Sequence, residues 1–333
     1  MLFFVICACF ALFPAQVLAG AQSGLALCIN AVIPSLLPFM LFSACIIKSN
    51  FSRPLGAALS KVLSPITGMS PDGCVCFITG LLGGYGAGAR AVLESYNENH
   101  ISEEEAQRLL AFCNNAGPLF IMGTVGIGFF SSKSVGAMLF FVQVVTAIIC
   151  ARIFSGDFKK RNISVKEEWD FYKKNKPPIG GLITKSAIES GSAIITACVF
   201  VIAFSAILEI LPFGSYSLLT GVLEVTRGTA EMSRQGMRTL PVVSAILSWG
   251  GMSVHFQANA LCDGKFRMNT YYVGKILASM ISFLITKLVC GDTNIFLLTA
   301  VLIIALLLIG AVVRFLFSPK FARQHVFRQR RHS

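Results

Sequence analysis

The chain has 333 residues, 55% of them hydrophobic and 13% charged, with a mean hydropathy of +0.72. A soluble domain carries about 25% charged residues, so these figures exclude an ordinary water-soluble fold and point to a polytopic membrane protein. The net charge of +12 is concentrated in residues 159–176 and in the C-terminal tail. Beside membrane spans such runs mark the cytoplasmic face and not a nucleic-acid footprint.

In chain order, the run 2–19 is apolar but lacks the basic n-region of a signal peptide. It reads as an uncleaved, peripheral first span (1–23). Residues 24–47 meet the length a bilayer crossing needs, and the basic stretch 48–61 follows as a connection. Residues 73–98 are apolar only in part and are broken by "GGYGAG" (83–88). In "ISEEEAQRLL", Ser102 and Glu105 stand three apart as a capping box, and the carboxylates read as a solvated face. Residues 109–130 form a span interrupted by "NNAGP" (114–118), and 135–154 form an unbroken one.

After the basic loop 155–183 the pattern repeats. Span 184–211 leads to a short piece, 216–236, broken by "EVTRG" (224–228). Span 239–261 is interrupted by "SWGG" (248–251), and span 269–289 is whole. A last span, 294–317, precedes the basic tail. Irregular backbone survives at membrane depth only against protein or a water-filled cavity, so four breaks in matching order are informative. The expected fold is an all-α polytopic membrane protein of about eight transmembrane helices. Its two inverted repeats are 24–154 and 184–290, each with a re-entrant hairpin (73–98 and 216–236), flanked by 291–333. With the basic loop and tail cytoplasmic, the hairpins enter from opposite faces, as in secondary transporters.

The broken segments supply the candidate substrate-binding residues. In the first tip these are Gly84, Tyr85 and Gly86, where Tyr85 either stacks on an aromatic substrate or packs. Arg90 follows, and either reaches the substrate or pairs with Glu94 at the membrane edge. Asn114, Asn115, Gly117 and Pro118 free backbone groups within a span, because proline donates no hydrogen bond. In the second half the candidates are Glu224, Thr226 and Arg227, with Glu224 as internal partner for Arg227, then Ser248, Gly250, His255 and Gln257. Half-helix N-termini carry partial positive charge, and with the two arginines they favour a small organic anion. No Walker loop, dinucleotide fingerprint, G-x-S-x-G elbow or H-E-x-x-H occurs, so no enzyme is expected. The 11 cysteines sit mostly as singletons in apolar runs. No metal, cofactor or disulfide is expected, and no coupling ion is assigned.

The run "GYGAGARAVLESYNENHISEEEAQRLLAFCNNAGPLFIMGTVGIGFF" resembles the bacterial sporulation integral membrane proteins with a nucleoside-recognition, or gate, domain. The tip departs from the family's G-Y-P-x-G-A pattern at Gly86, which stands where the family has proline. The following run is intact from Ile101 through Asn114, Asn115, Gly117, Pro118 and Phe120. The match covers about 78–130. This resemblance implies a transporter that carries dipicolinic acid from the mother cell toward the forespore, in the outer forespore membrane; the basic tail places the C-terminus on the cytoplasmic side. Two alternatives stay open: a nucleoside or organic-solute cotransporter of the same architecture, and a structural or regulatory sporulation membrane protein without flux.

Overall fold

The computed structural model describes residues 2–155, 163–211, 217–262 and 264–291. The expected last span, the tail and part of the basic loop lie outside these residues. The chain divides into a large unit, 1–286, and a second, 287–333, of which the description covers 287–291. All regular structure among the described residues is helical. Among those residues, five helical runs are long and apolar enough to cross a membrane: Pro14–Lys48, Lys133–Phe154, Ile179–Ile210, Met237–Cys262 and Asn269–Val289. A bent pair, Ser52–Thr67 with Pro71–Gly83, raises this to six.

The N-terminal spans divide differently from the hydropathy reading. Helix α1 (Leu2–Leu12) stops before Pro14. From there α2 (Pro14–Leu27), a π-helical turn (Cys28–Val32) and α3 (Ile33–Lys48) run on continuously. Proline at the start of a helix costs nothing, because its missing N–H has no intrahelical acceptor there. The boundary therefore falls at Pro14 and not near residue 20. Helix α4 (Ser52–Thr67) occupies the stretch expected as a plain connection and meets α5 (Pro71–Gly83) at 88°. Gly68, at φ 81°, closes α4 in the left-handed conformation that favours glycine.

Helices α5 and α6 (Ala87–Asn97) form the first hairpin. It is stapled to α7 (Glu103–Cys113) by one close approach. A Cβ built on Gly80 or on Gly88 would lie 1.7 or 1.8 Å from the Cys113 carbonyl oxygen. Only two residues without side chains let the last carbonyl of α7 enter the hairpin. Ser102 caps α7, accepting from the Glu105 N–H at 3.2 Å. The Glu105 side chain does not complete the capping box. It is buried, not solvated, and accepts a hydrogen bond from Ser70 Oγ. That bond ties the starts of α5 and α7 together and takes Glu105 out of a solvated face on which Glu103 and Glu104 remain exposed.

After α7 the chain is non-helical over 114–117 and resumes as a π-helical stretch, Leu119–Phe129. Then come α8 (Lys133–Phe154), the amphipathic α9 (Val165–Asn175) and the 32-residue α10 (Ile179–Ile210). Helix α9 lies on α4 through an Arg53–Glu168 ion pair at 2.6 Å and edge contacts of Phe51 with Trp169 and Tyr172. The second hairpin is α11 (Ser217–Leu223) and α12 (Val225–Ser233). A broken helix follows it, α13 (Leu240–Trp249) and α14 (Gly251–Cys262), and then α15 (Asn269–Val289). Hairpin followed by broken helix thus occurs twice, in the order read from the sequence.

Gly80→Ala or Gly88→Ala is expected to destabilise the protein by roughly 3 kcal/mol or more, since the obstacle is backbone. Gly123→Ala, with nothing within 4 Å of the added Cβ, serves as the neutral control. Thermal unfolding in detergent measures the difference.

Candidate functional site

The first break is held by its own amides. Asn114 Oδ1 accepts the Gly86 N–H at 2.6 Å, and Asn114 Nδ2 donates to Tyr271 Oη at 3.3 Å. One side chain therefore caps the hairpin tip and reaches α15. The tip needs this because Gly84 (φ 82°) and Gly86 (φ 81°) turn the chain outside any helix. Gly117 lies against Gly84, its Cβ position 3.1 Å from the Gly84 backbone. Asn115 Oδ1 accepts from Gln143 Nε2 at 3.0 Å, and Gln143 Oε1 accepts from Ser248 Oγ at 3.2 Å. This relay joins the first break, α8 and the second broken helix.

Tyr85 joins the first hairpin tip to α13. Its hydroxyl donates to the Leu247 carbonyl, a group near the C-terminal end of α13 that the break at Gly250 (φ 90°) leaves without a helical donor. Beneath the tip, Lys275 of α15 is 2% exposed. Its Nζ donates to the Asn114 carbonyl at 2.8 Å and lies 5.8 Å from the centre of the Tyr85 ring. No carboxylate pairs with it among the described residues. His255 Nδ1 is 2.9 Å from Tyr271 Oη, and its ring stands edge-on to Trp249 at 4.1 Å.

At the second tip, Glu224 is fully buried and caps α12, accepting the Arg227 N–H at 2.7 Å through Oε2. Among the described residues its other oxygen has no hydrogen-bond partner, and neither do Ser253 Oγ or Gln257 Nε2. These groups and Thr226, Tyr85 and Ser35 line a cavity of about 30 Å³. Such a space holds one water-sized group.

The two arginines lie apart from this centre. Arg90 pairs with Glu94 at 2.8 Å and with Glu189 of α10 at 2.6 Å. The Arg227 side chain does not pair with Glu224, as the spacing suggested. It pairs with Glu209 at 2.8 Å and Glu231 at 3.0 Å. The first turn of α12 directs the Arg227 side chain toward the end of α10 and leaves only its N–H for Glu224. Pro118 is half-buried where the Leu119–Phe129 stretch begins. The remaining sequence candidates converge: Gly84, Tyr85, Gly86, Asn114, Asn115, Gly117, Glu224, Thr226, Ser248, Gly250, His255 and Gln257.

Sequence reasoning passed over Lys275, Tyr271, Gln143 and Ser253. Lys275 carried a usable signal, an ionisable residue well inside an apolar span.

Fold and site define an all-helical integral membrane protein whose hairpin tips and broken helices meet at a buried polar centre. Over 306 residues, 78% of this chain and 74% of the relative, the sequence is 26% identical to the sporulation integral membrane protein YlbJ of Bacillus subtilis (strain 168). No family profile and no solved structure matches the chain.

Lys275→Met keeps most of the side-chain volume and removes a buried basic group that lacks a carboxylate partner. It is expected to stabilise the fold by about 1 kcal/mol or more. A higher melting temperature in detergent is the readout, and a large fall would instead mark Lys275 as a structural strut.

Proposed function

We propose that the protein is a transporter of a small organic anion, specifically dipicolinic acid carried toward the forespore during sporulation. The observation that carries this reading is Lys275. A basic side chain at a helix break, deep in the protein, with a carbonyl and an aromatic face beside it, is suited to a carboxylate brought by a ligand. The two arginines are already neutralised in this structure, each holding two carboxylates, so the basic group without a carboxylate is Lys275. The twice-repeated order of hairpin and broken helix supports a pair of inverted repeats with binding near the midplane. Similarity to a sporulation integral membrane protein supports the biological setting and a place in a membrane of the developing spore. The lysines of helix α9, Lys166, Lys173 and Lys174, support a cytoplasmic side for its face of the protein. Neutral solutes such as nucleosides would leave Lys275 uncompensated, which favours the anion.

The test is the dipicolinate content of spores from a deletion strain of the source organism. Wild-type protein is expected to restore it, and Lys275→Met to restore less than about a tenth, at equal protein level. Full restoration by Lys275→Met overturns the assignment of the anion to this centre. A deletion strain that assembles spores with normal dipicolinate overturns the transport reading.

A further inference from the structure

In this conformation the central cavity admits only a water-sized group, whereas a second one has room for an aromatic dicarboxylate. A cavity of about 520 Å³ opens between α3, α6, α10 and α14, lined by Lys48, Arg90, Glu94, Asn97, Lys185 and Glu189 among others. Its volume falls in the range of small-molecule sites, about 300–1,000 Å³. Its wall already holds a carboxylate. Glu189 is gripped by Lys48 and by Arg90, whose Nη2 lies 2.6 Å from Oε2. Arg90 also donates to the Glu189 backbone carbonyl. On the other side of the same cations, Glu94 accepts from Arg90 Nε at 2.8 Å and lies 3.7 Å from Lys48.

The two carboxylates differ in exposure. Glu94 is 11% exposed and fixed on the same helix as Arg90, whereas Glu189 is 33% exposed, on the rim of the cavity. Lys185 lies one turn before Glu189 on α10 and lines the same space, so a displaced Glu189 has a cation to turn to. Arg90 is also one turn from the tip: its N–H donates to the Gly86 carbonyl at 2.9 Å. The pair to Glu189 thus fastens the first hairpin to α10 directly above the polar centre.

We propose that this vestibule is an entry site for a carboxylate-bearing anion, in which Glu189 occupies the place of the ligand's carboxylate until the incoming anion exchanges with it. Exchange leaves Arg90 and Lys48 neutralised and releases α6 from α10, opening the route to the tip. The inference rests on the transport reading above and assigns it a first contact point distinct from Lys275.

The experiment measures dipicolinate binding to the purified full-length protein by calorimetry, together with hydrogen exchange of residues 87–97. Glu189→Gln keeps the shape and removes the competing charge. It is expected to tighten binding about tenfold, and to raise exchange in α6 without ligand to the level dipicolinate produces in the wild type. Arg90→Lys, which retains a cation, is expected to keep binding but lose most of that gain when combined with Glu189→Gln. Unchanged or weaker binding by Glu189→Gln in a protein that still transports overturns the exchange alone. Tighter binding by Glu189→Gln alongside a wild-type protein that moves no dipicolinate in proteoliposomes overturns the transport reading alone, and absence of binding to either protein overturns both.

Discussion

Backbone groups inside a bilayer have no water to bond with, and each must find a partner within the protein. The whole centre of this molecule is organised by that requirement. The chain leaves helical geometry at Gly84–Gly86, at 114–117, at Glu224 and at Gly250, and each break is answered from another element or by a local cap. Asn114 answers the Gly86 N–H, Lys275 answers the Asn114 carbonyl, Tyr85 answers Leu247, and Glu224 answers the N–H groups at the start of α12. The breaks therefore support one another, and the groups that hold them are the polar side chains a ligand would meet.

The breaks were legible in the sequence because clustered glycine, proline and asparagine within an apolar run favour backbone that leaves the helix. The hairpin at 84–86 and the interruptions at 114–118 and 248–251 all appear where those residues cluster. What stayed hidden were matters of partner choice. Arg227 follows Glu224 by three residues, the spacing of a helical pair, yet Glu224 is a cap and not a helical position, so its carboxylate meets the backbone. Glu105 looked solvated beside Glu103 and Glu104, but Ser70, thirty-five residues earlier, lies over it. Helix α4 was missed because its apolar stripe is short and broken by polar residues. Lys275 was missed because the groups it meets, the Asn114 carbonyl and the Tyr85 ring, lie far earlier in the chain.

Charge in the molecule is sorted by depth. At Glu189 and Glu209 of α10 arginines are met by carboxylates on both sides, while the centre holds one lysine and one glutamate that do not meet each other as an ion pair. Ion pairs between helices fasten the assembly where solvent can compete for them. Charged groups without an ionic partner at the centre cost stability, and such groups persist where something else brings the missing partner. The relay from Asn115 through Gln143 to Ser248 keeps the surrounding amides in fixed orientations, so Lys275 and Glu224 are aimed in defined directions.

Helix α10 has a further mechanical consequence. It carries Glu189, which takes the first hairpin's Arg90, and Glu209, which takes the second hairpin's Arg227. Twenty residues of α-helix set these anchors about 30 Å apart, close to the thickness of a bilayer's hydrocarbon layer. An unbroken helix of 32 residues behaves as a stiff rod. Both hairpins are moored to the same ruler at two fixed marks, so neither can shift along it without first casting off, and the distance between the two moorings is not adjustable by either.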